Sequence, residues 1–125
     1  MLKSNRIALA AALILAIASP ALAASSAGMT AGGNTLAGPG TTNLGLNATE
    51  TVYTDASANA DTCVTVINAG KSPVRLSLVD VNPSTSTIDV AVGTSAALCV
   101  NETQRVDLTC LGVNTCSAQW RVDRN

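Results

Sequence analysis

The sequence predicts an all-β fold: a small, disulfide-stapled β-sandwich of about seven strands. Three observations carry this. Short runs rich in Val, Thr, Ile and Leu recur at roughly ten-residue spacing with turn residues between them, which is the texture of a sandwich. Four cysteines, an even number, follow an N-terminal export signal. After that signal no segment keeps a helical period.

The export signal is read over residues 1–23. Lys3 and Arg6 form a positive head, Ile7 to Ala18 is uninterrupted apolar sequence, and Ser19-Pro20 breaks it before Ala21-Leu22-Ala23. Small residues at the −3 and −1 positions place cleavage at Ala23/Ala24. The apolar run falls well short of the ~20 residues a membrane span needs. Residue 24 is Ala rather than Cys, so a lipoprotein anchor is not encoded. The expectation is a bacterial, secreted or periplasmic mature chain that does not insert into a membrane. Lys3 and Arg6 leave with the signal, so five basic residues face eight acidic ones, a net charge of −3. That balance argues against nucleic acid and against an anionic membrane surface, because both need a basic patch. About 100 residues remain, which is one domain.

Residues 24–48 are read as a flexible tether. They hold six of the nine glycines, no charge, and apolar residues without period. A donor strand for a partner's sheet would need sustained alternation, and only Leu44 and Leu46 show any. Residues 49–125 are read as the sandwich. "TETVYT" and "TCVTVIN" are the first strands. "NAGKSP" is a turn, with Gly70 free to take positive φ and Pro73 setting the exit. "VRLSLVDV" puts Val74, Leu76 and Leu78 on one face, and "TIDVAV" does so with Ile88, Val90 and Val92. "ALCV", "RVDLTC" and "SAQWRVD" complete seven. The last two read as neighbouring strands, with Val106, Leu108, Cys110, Ala118, Trp120 and Val122 toward the core.

The cysteines are Cys63, Cys99, Cys110 and Cys116. Zinc knuckles favour C-x₂₋₄-C or histidine ligands, and the chain has no histidine. A thioredoxin-like C-x-x-C is absent too. An oxidising compartment then pairs the sulfurs. Of three connectivities, strand parity favours Cys63–Cys99 and Cys110–Cys116. Cys63 is out of phase with Val64 and Val66, and Cys99 with Leu98 and Val100, so these two share the outer face of one sheet.

"VTVINAGKSPVRLSLVD" resembles the strand–turn–strand "V-x-V-x-N-x-G" of bacterial immunoglobulin-like repeat modules. That resemblance implies an immunoglobulin-like sandwich serving as an extracytoplasmic binding or spacer module.

Candidate chemistry is sparse. Without histidine there is no Ser-His-Asp or Cys-His pair. The glycines of "GGNTLAGPG" neither follow an expected strand nor open a helix, so no phosphate loop is read there. Lys71 lies in a turn, away from the burial that makes a lysine a base. Asp80 and Asp89 near strand ends and Asp107 and Asp123 on outer faces read as solvated charges. One Tyr, one Trp and no Phe leave no aromatic platform for sugars or bases. "DASANAD" offers Asp55, Ser57, Asn59 and Asp61 at the 1, 3, 5, 7 spacing of a calcium loop, but Ala60 stands at position six and Val66 at position twelve. It is the weak metal candidate, and no cofactor is expected. "NAT" at 47 and "NET" at 101 match a glycosylation pattern that has no meaning in a bacterium. The functional expectation is a non-enzymatic binding or structural module with a protein or cell-surface partner, acting through a sheet face or edge. The alternative is a secreted enzyme inhibitor that inserts the disulfide-pinned loop Leu111–Thr115.

Overall fold

The computed structural model describes residues 29–125; the expected export signal and cleavage site lie outside them. Eight strands form: β1 (Thr35–Leu44), β2 (Thr49–Thr54), β3 (Thr62–Asn68), β4 (Val74–Asp80), β5 (Thr85–Val90), β6 (Ser95–Val100), β7 (Thr103–Cys110) and β8 (Cys116–Arg124). Two antiparallel four-stranded sheets result, in the orders β1-β8-β3-β6 and β2-β7-β4-β5. The all-β, two-layer sandwich with two disulfides is as the sequence predicts.

The connectivity departs from the antibody pattern. There, the first two strands are neighbours in one sheet. Here the chain changes sheet at every connection except β4–β5, the lone hairpin among the described strands. Strands pair 1 with 8, 2 with 7, 3 with 6 and 4 with 5. It is as if one long hairpin had been rolled up, which gives the eight-stranded jelly-roll arrangement. One sequence expectation is corrected by it. β7 and β8 are not sheet neighbours; they lie in opposite layers, so loop 111–115 bridges the sandwich. Asn101-Glu102 also crosses between layers, with Glu102 at φ 51° turning the corner.

The eighth strand is β1, inside the segment read as a tether. It pairs with β8 along its length, with Gly40 opposite Trp120 and Leu44 opposite Cys116. Its irregular register before Gly40 coincides with Pro39, which has no N–H to donate to a ladder. The small residues answer a large one. A Cβ on Gly40 would lie inside the Trp120 ring, and one on Gly38, at φ +82°, would sit 2.9 Å from it. Bare backbone is therefore what lets β1 lie against the indole, whose Nε1–H donates to Thr42 Oγ1 at 2.9 Å. Trp120 is on the inward face as expected, packed against the core though only half buried.

The core follows the two-residue period. In β3 every second residue from Thr62 to Asn68 is buried, and Val64, Val66, Leu76, Leu78, Val106, Leu108 and Val122 are fully excluded from solvent. Each such side chain contributes about 1.5–3 kcal/mol relative to leaving it in water. One expected member is absent: β5 ends at Val90, so Val92 lies in the following turn and is exposed.

Candidate functional site

The rolled-up order gathers four connections at one end of the sandwich. β1, β3, β5 and β7 all run toward it, so residues 45–48, 69–73, 91–94 and 111–115 lie there. Because β1 lies over β2 and β6 beside β5, the four loops stand side by side in the order 45–48, 111–115, 69–73, 91–94. The other connections, 55–61, 81–84 and 101–102, lie at the far end.

Asn68 fastens the gathered loops. It is 1% exposed. Its Nδ2 donates to the carbonyls of Ser72 and Val90, both at 2.9 Å, and its Oδ1 accepts the Gly70 N–H at 3.0 Å. Its own carbonyl accepts the Gly93 N–H at 3.0 Å. One buried amide thus ties loop 69–73 to the end of β5 and the turn beyond it. The sequence presents this residue only as the Asn of the "V-x-V-x-N-x-G" run; that its amide would cross to β5 depends on non-local pairing.

Loop 111–115 is fixed from two sides. Cys110 and Cys116 are bridged with Cα atoms 5.6 Å apart, joining the two layers from within the core. Ser72 Oγ donates to the Asn114 carbonyl at 2.9 Å and lies 3.0 Å from the Asn114 N–H, which donates back to it. Leu111 N–H donates to the Pro73 carbonyl at 3.0 Å. Gly112 is packed so closely on Ser72 that a Cβ there would overlap the hydroxyl. The tip is left outside: Val113 is 86% exposed. Leu46 and Val92, in two of the other loops, are exposed as well. An open depression of about 500 Å³ lies between Leu44-Gly45, Ala69-Gly70-Lys71 and Thr115-Cys116-Ser117.

The second bridge is Cys63–Cys99. The two residues sit directly opposite each other on β3 and β6, Cα atoms 4.0 Å apart, on the outer face. No free cysteine is found among the described residues.

Of the four calcium candidates, Asp55, Ser57 and Asn59 are hydrogen-bonded to one another and Asp61 stands apart. Asp55 caps its own loop: Oδ1 accepts Ser57 Oγ at 2.7 Å and Ser57 N–H at 3.2 Å, and Oδ2 accepts Asn59 N–H at 3.1 Å. Asn59 Nδ2 donates to Ser57 Oγ. The Ser57 hydroxyl first, then the Asn59 amide, hold the Asp55 carboxyl below its ordinary value. Asp61 faces another way and accepts the Glu102 N–H at 2.9 Å. The other aspartates are engaged apart from one another, Asp107 also accepting from Thr51 Oγ1 and Asp123 from Thr35 Oγ1. Asp80 accepts the N–H groups of Asn82 and Ser84. Asp89 pairs with Arg75, Asp107 with Arg105 and Asp123 with Arg121. Among the described residues no three His, Cys, Asp or Glu side chains converge.

No protein family matches the chain, and no curated protein does. Among solved structures it is similar to a chain from work on Bacillus endospore appendages, described as a novel family of disulfide-linked pili. Identity is 18%, the TM-score is 0.47, and the match covers 81% of this chain and 98% of that one.

Proposed function

We propose that the protein is an exported, non-enzymatic binding or structural module of the cell exterior or periplasm, acting on another protein through an open strand edge. The carrying observation is the edge of β5. It pairs on one side only, with β4, and its Thr85, Ser86, Thr87 and Asp89 are exposed. It holds no lysine and no proline, two of the residues that natural edges use to repel another strand. An extended segment of a partner adds to such an edge by main-chain hydrogen bonds. Two cystines suit the oxidising compartment this reading requires.

A second reading has its own observation. Val113 is held out in water on a loop that a disulfide and Ser72 keep rigid, the form a small inhibitor presents to an enzyme cleft. Affinity capture from culture fluid and envelope extract separates the two. The chain, a T85K/T87K variant and a variant with residues 111–115 replaced between intact cysteines are compared. The edge reading expects the lysine variant to lose its protein partner and the loop variant to keep it. The reverse pattern assigns the inhibitor reading, and equal capture by all three rejects both.

A further inference from the structure

The loop-bearing end is chemically unlike the rest of the surface. Its four loops contain one charged residue, Lys71, and no carboxylate. Three of the four most exposed large apolar side chains stand on it: Leu46 at 56%, Val92 at 48% and Val113 at 86%. Each is on a different loop, so in loop order the row reads Leu46, Val113, Lys71, Val92. The far end is the inverse. Its loops carry Asp55, Asp61 and Glu102 and no lysine or arginine. In the loops the acidic residues are confined to the end opposite the apolar tips; the other five lie on strands, with Glu50 and Asp89 exposed close to the loop-bearing end and Asp89 paired with Arg75.

We propose that this end docks on the surface of a phospholipid bilayer bearing anionic headgroups, with Leu46, Val92 and Val113 entering the headgroup boundary and Lys71 meeting the phosphates. It goes beyond the β5-edge reading and stands or falls separately from it. Two arguments select a bilayer over a second copy of the chain. The first is size. Four loops at a strand spacing of about 4.8 Å and a sheet separation of about 10 Å make a footprint of roughly 200 Å², where a stable protein complex needs about 800 Å² per partner. The second is fit. In a head-to-tail stack the tips would bury against carboxylates, because Val81 is the one exposed large apolar residue at the far end. A bilayer needs no complementary pocket: apolar tips partition into it, and a cation beside them gains from the anionic surface. The contact is shallow, made by side chains on loop tips and not by a spanning segment.

Sedimentation of the mature, oxidised chain with vesicles tests this. Vesicles of phosphatidylglycerol and phosphatidylcholine in equal parts are compared with phosphatidylcholine alone. Binding to the anionic vesicles is expected, weakened by salt. L46D/V113D should lower partitioning by about tenfold or more, since each loses the transfer of a Val or Leu side chain. K71E should weaken binding to the anionic vesicles and leave the neutral ones unchanged. V81D, at the far end, should change nothing. All four positions are exposed, and an unchanged unfolding midpoint confirms that each variant folds. Absence of vesicle binding, or an equal loss with V81D, overturns the proposal. So does a dimer in solution that L46D/V113D dissociates, which would assign the patch to a second copy. Loss of the protein partner in T85K/T87K with vesicle binding intact separates the two proposals.

Discussion

Asn68 shows how much one buried polar residue carries. Replacing it with Ala leaves the carbonyls of Ser72 and Val90 and the N–H of Gly70 without their partners. An orphaned buried polar group costs about 1–3 kcal/mol, and partial relaxation brings the expected total for N68A to about 2–4 kcal/mol. Urea unfolding measures it; a loss below roughly 0.5 kcal/mol, the size of an ordinary surface substitution's effect, would contradict the hub role. Gly40 makes the opposite point, that a residue can matter by having no side chain. G40A forces a methyl group into the Trp120 ring and should cost about 1–3 kcal/mol, with a shift in tryptophan emission as the indole moves. The surface acids give a pH signature. Hydrogen bonding to Arg75 holds Asp89 below its ordinary value, and Ser57 does the same for Asp55. A carboxylate whose folded pKa is depressed stabilises the fold above its unfolded pKa of about 3.9, and that contribution is lost as pH falls through the folded value. NMR titration should place both midpoints below the ordinary aspartate value; R75A should return Asp89 to it, and S57A should raise Asp55 toward it. Unmoved midpoints would refute the assigned partners.

Among the elements, β1 separates what sequence pattern can reveal from what it cannot. β3, β4 and β7 are legible because their inward faces are Val and Leu at a strict two-residue period. β1 is not, because Gly40 and Thr42 separate the leucines at the two ends of its inward face. The volume there comes from Trp120 on the neighbouring strand, and no window of local sequence contains both. The Cys110–Cys116 loop misleads in a related way. A five-residue connection favours reading its flanks as a hairpin, and only the pairing of β7 with β2 and β4, and of β8 with β1 and β3, reveals that it spans the layers. Of the loop end, the turn and the pinned segment 111–115 are legible, while the gathering of four loops into one row depends on the whole topology. Truncation tests the reassignment of the tether. A chain starting at Met29, where the described residues begin, serves as the reference. One starting at Gly45 loses the burial of Thr42 and Leu44 and the cover over Trp120, so its midpoint should fall by roughly 10 °C or more with red-shifted tryptophan emission. Equal midpoints would return residues 35–44 to the tether.

For the whole molecule, a domain of about 100 residues has little stability to spare. The two bridges divide the task of holding it. Cys63–Cys99 closes the longer loop and fixes edge strand β6 to β3; chain entropy assigns it about 4 kcal/mol. Cys110–Cys116 closes the shorter one and fixes one layer to the other, at about 2.4 kcal/mol. C63A/C99A should therefore lower stability more than C110A/C116A, whereas only the latter should free loop 111–115 to fast amide exchange. Both variants keeping the parent's unfolding midpoint would show that the staples are dispensable. The same bridges tie fold to location, since cytosolic thiols would stay reduced.

Non-reducing peptide mapping of the protein purified from its own source puts the central claim, a two-layer sandwich closed by its own two cystines, to the most direct test. The expected result is one cross-linked peptide pair holding Cys63 and Cys99, one holding Cys110 and Cys116, and no alkylatable thiol. Exchanged partners, or sulfurs recovered free, would contradict it.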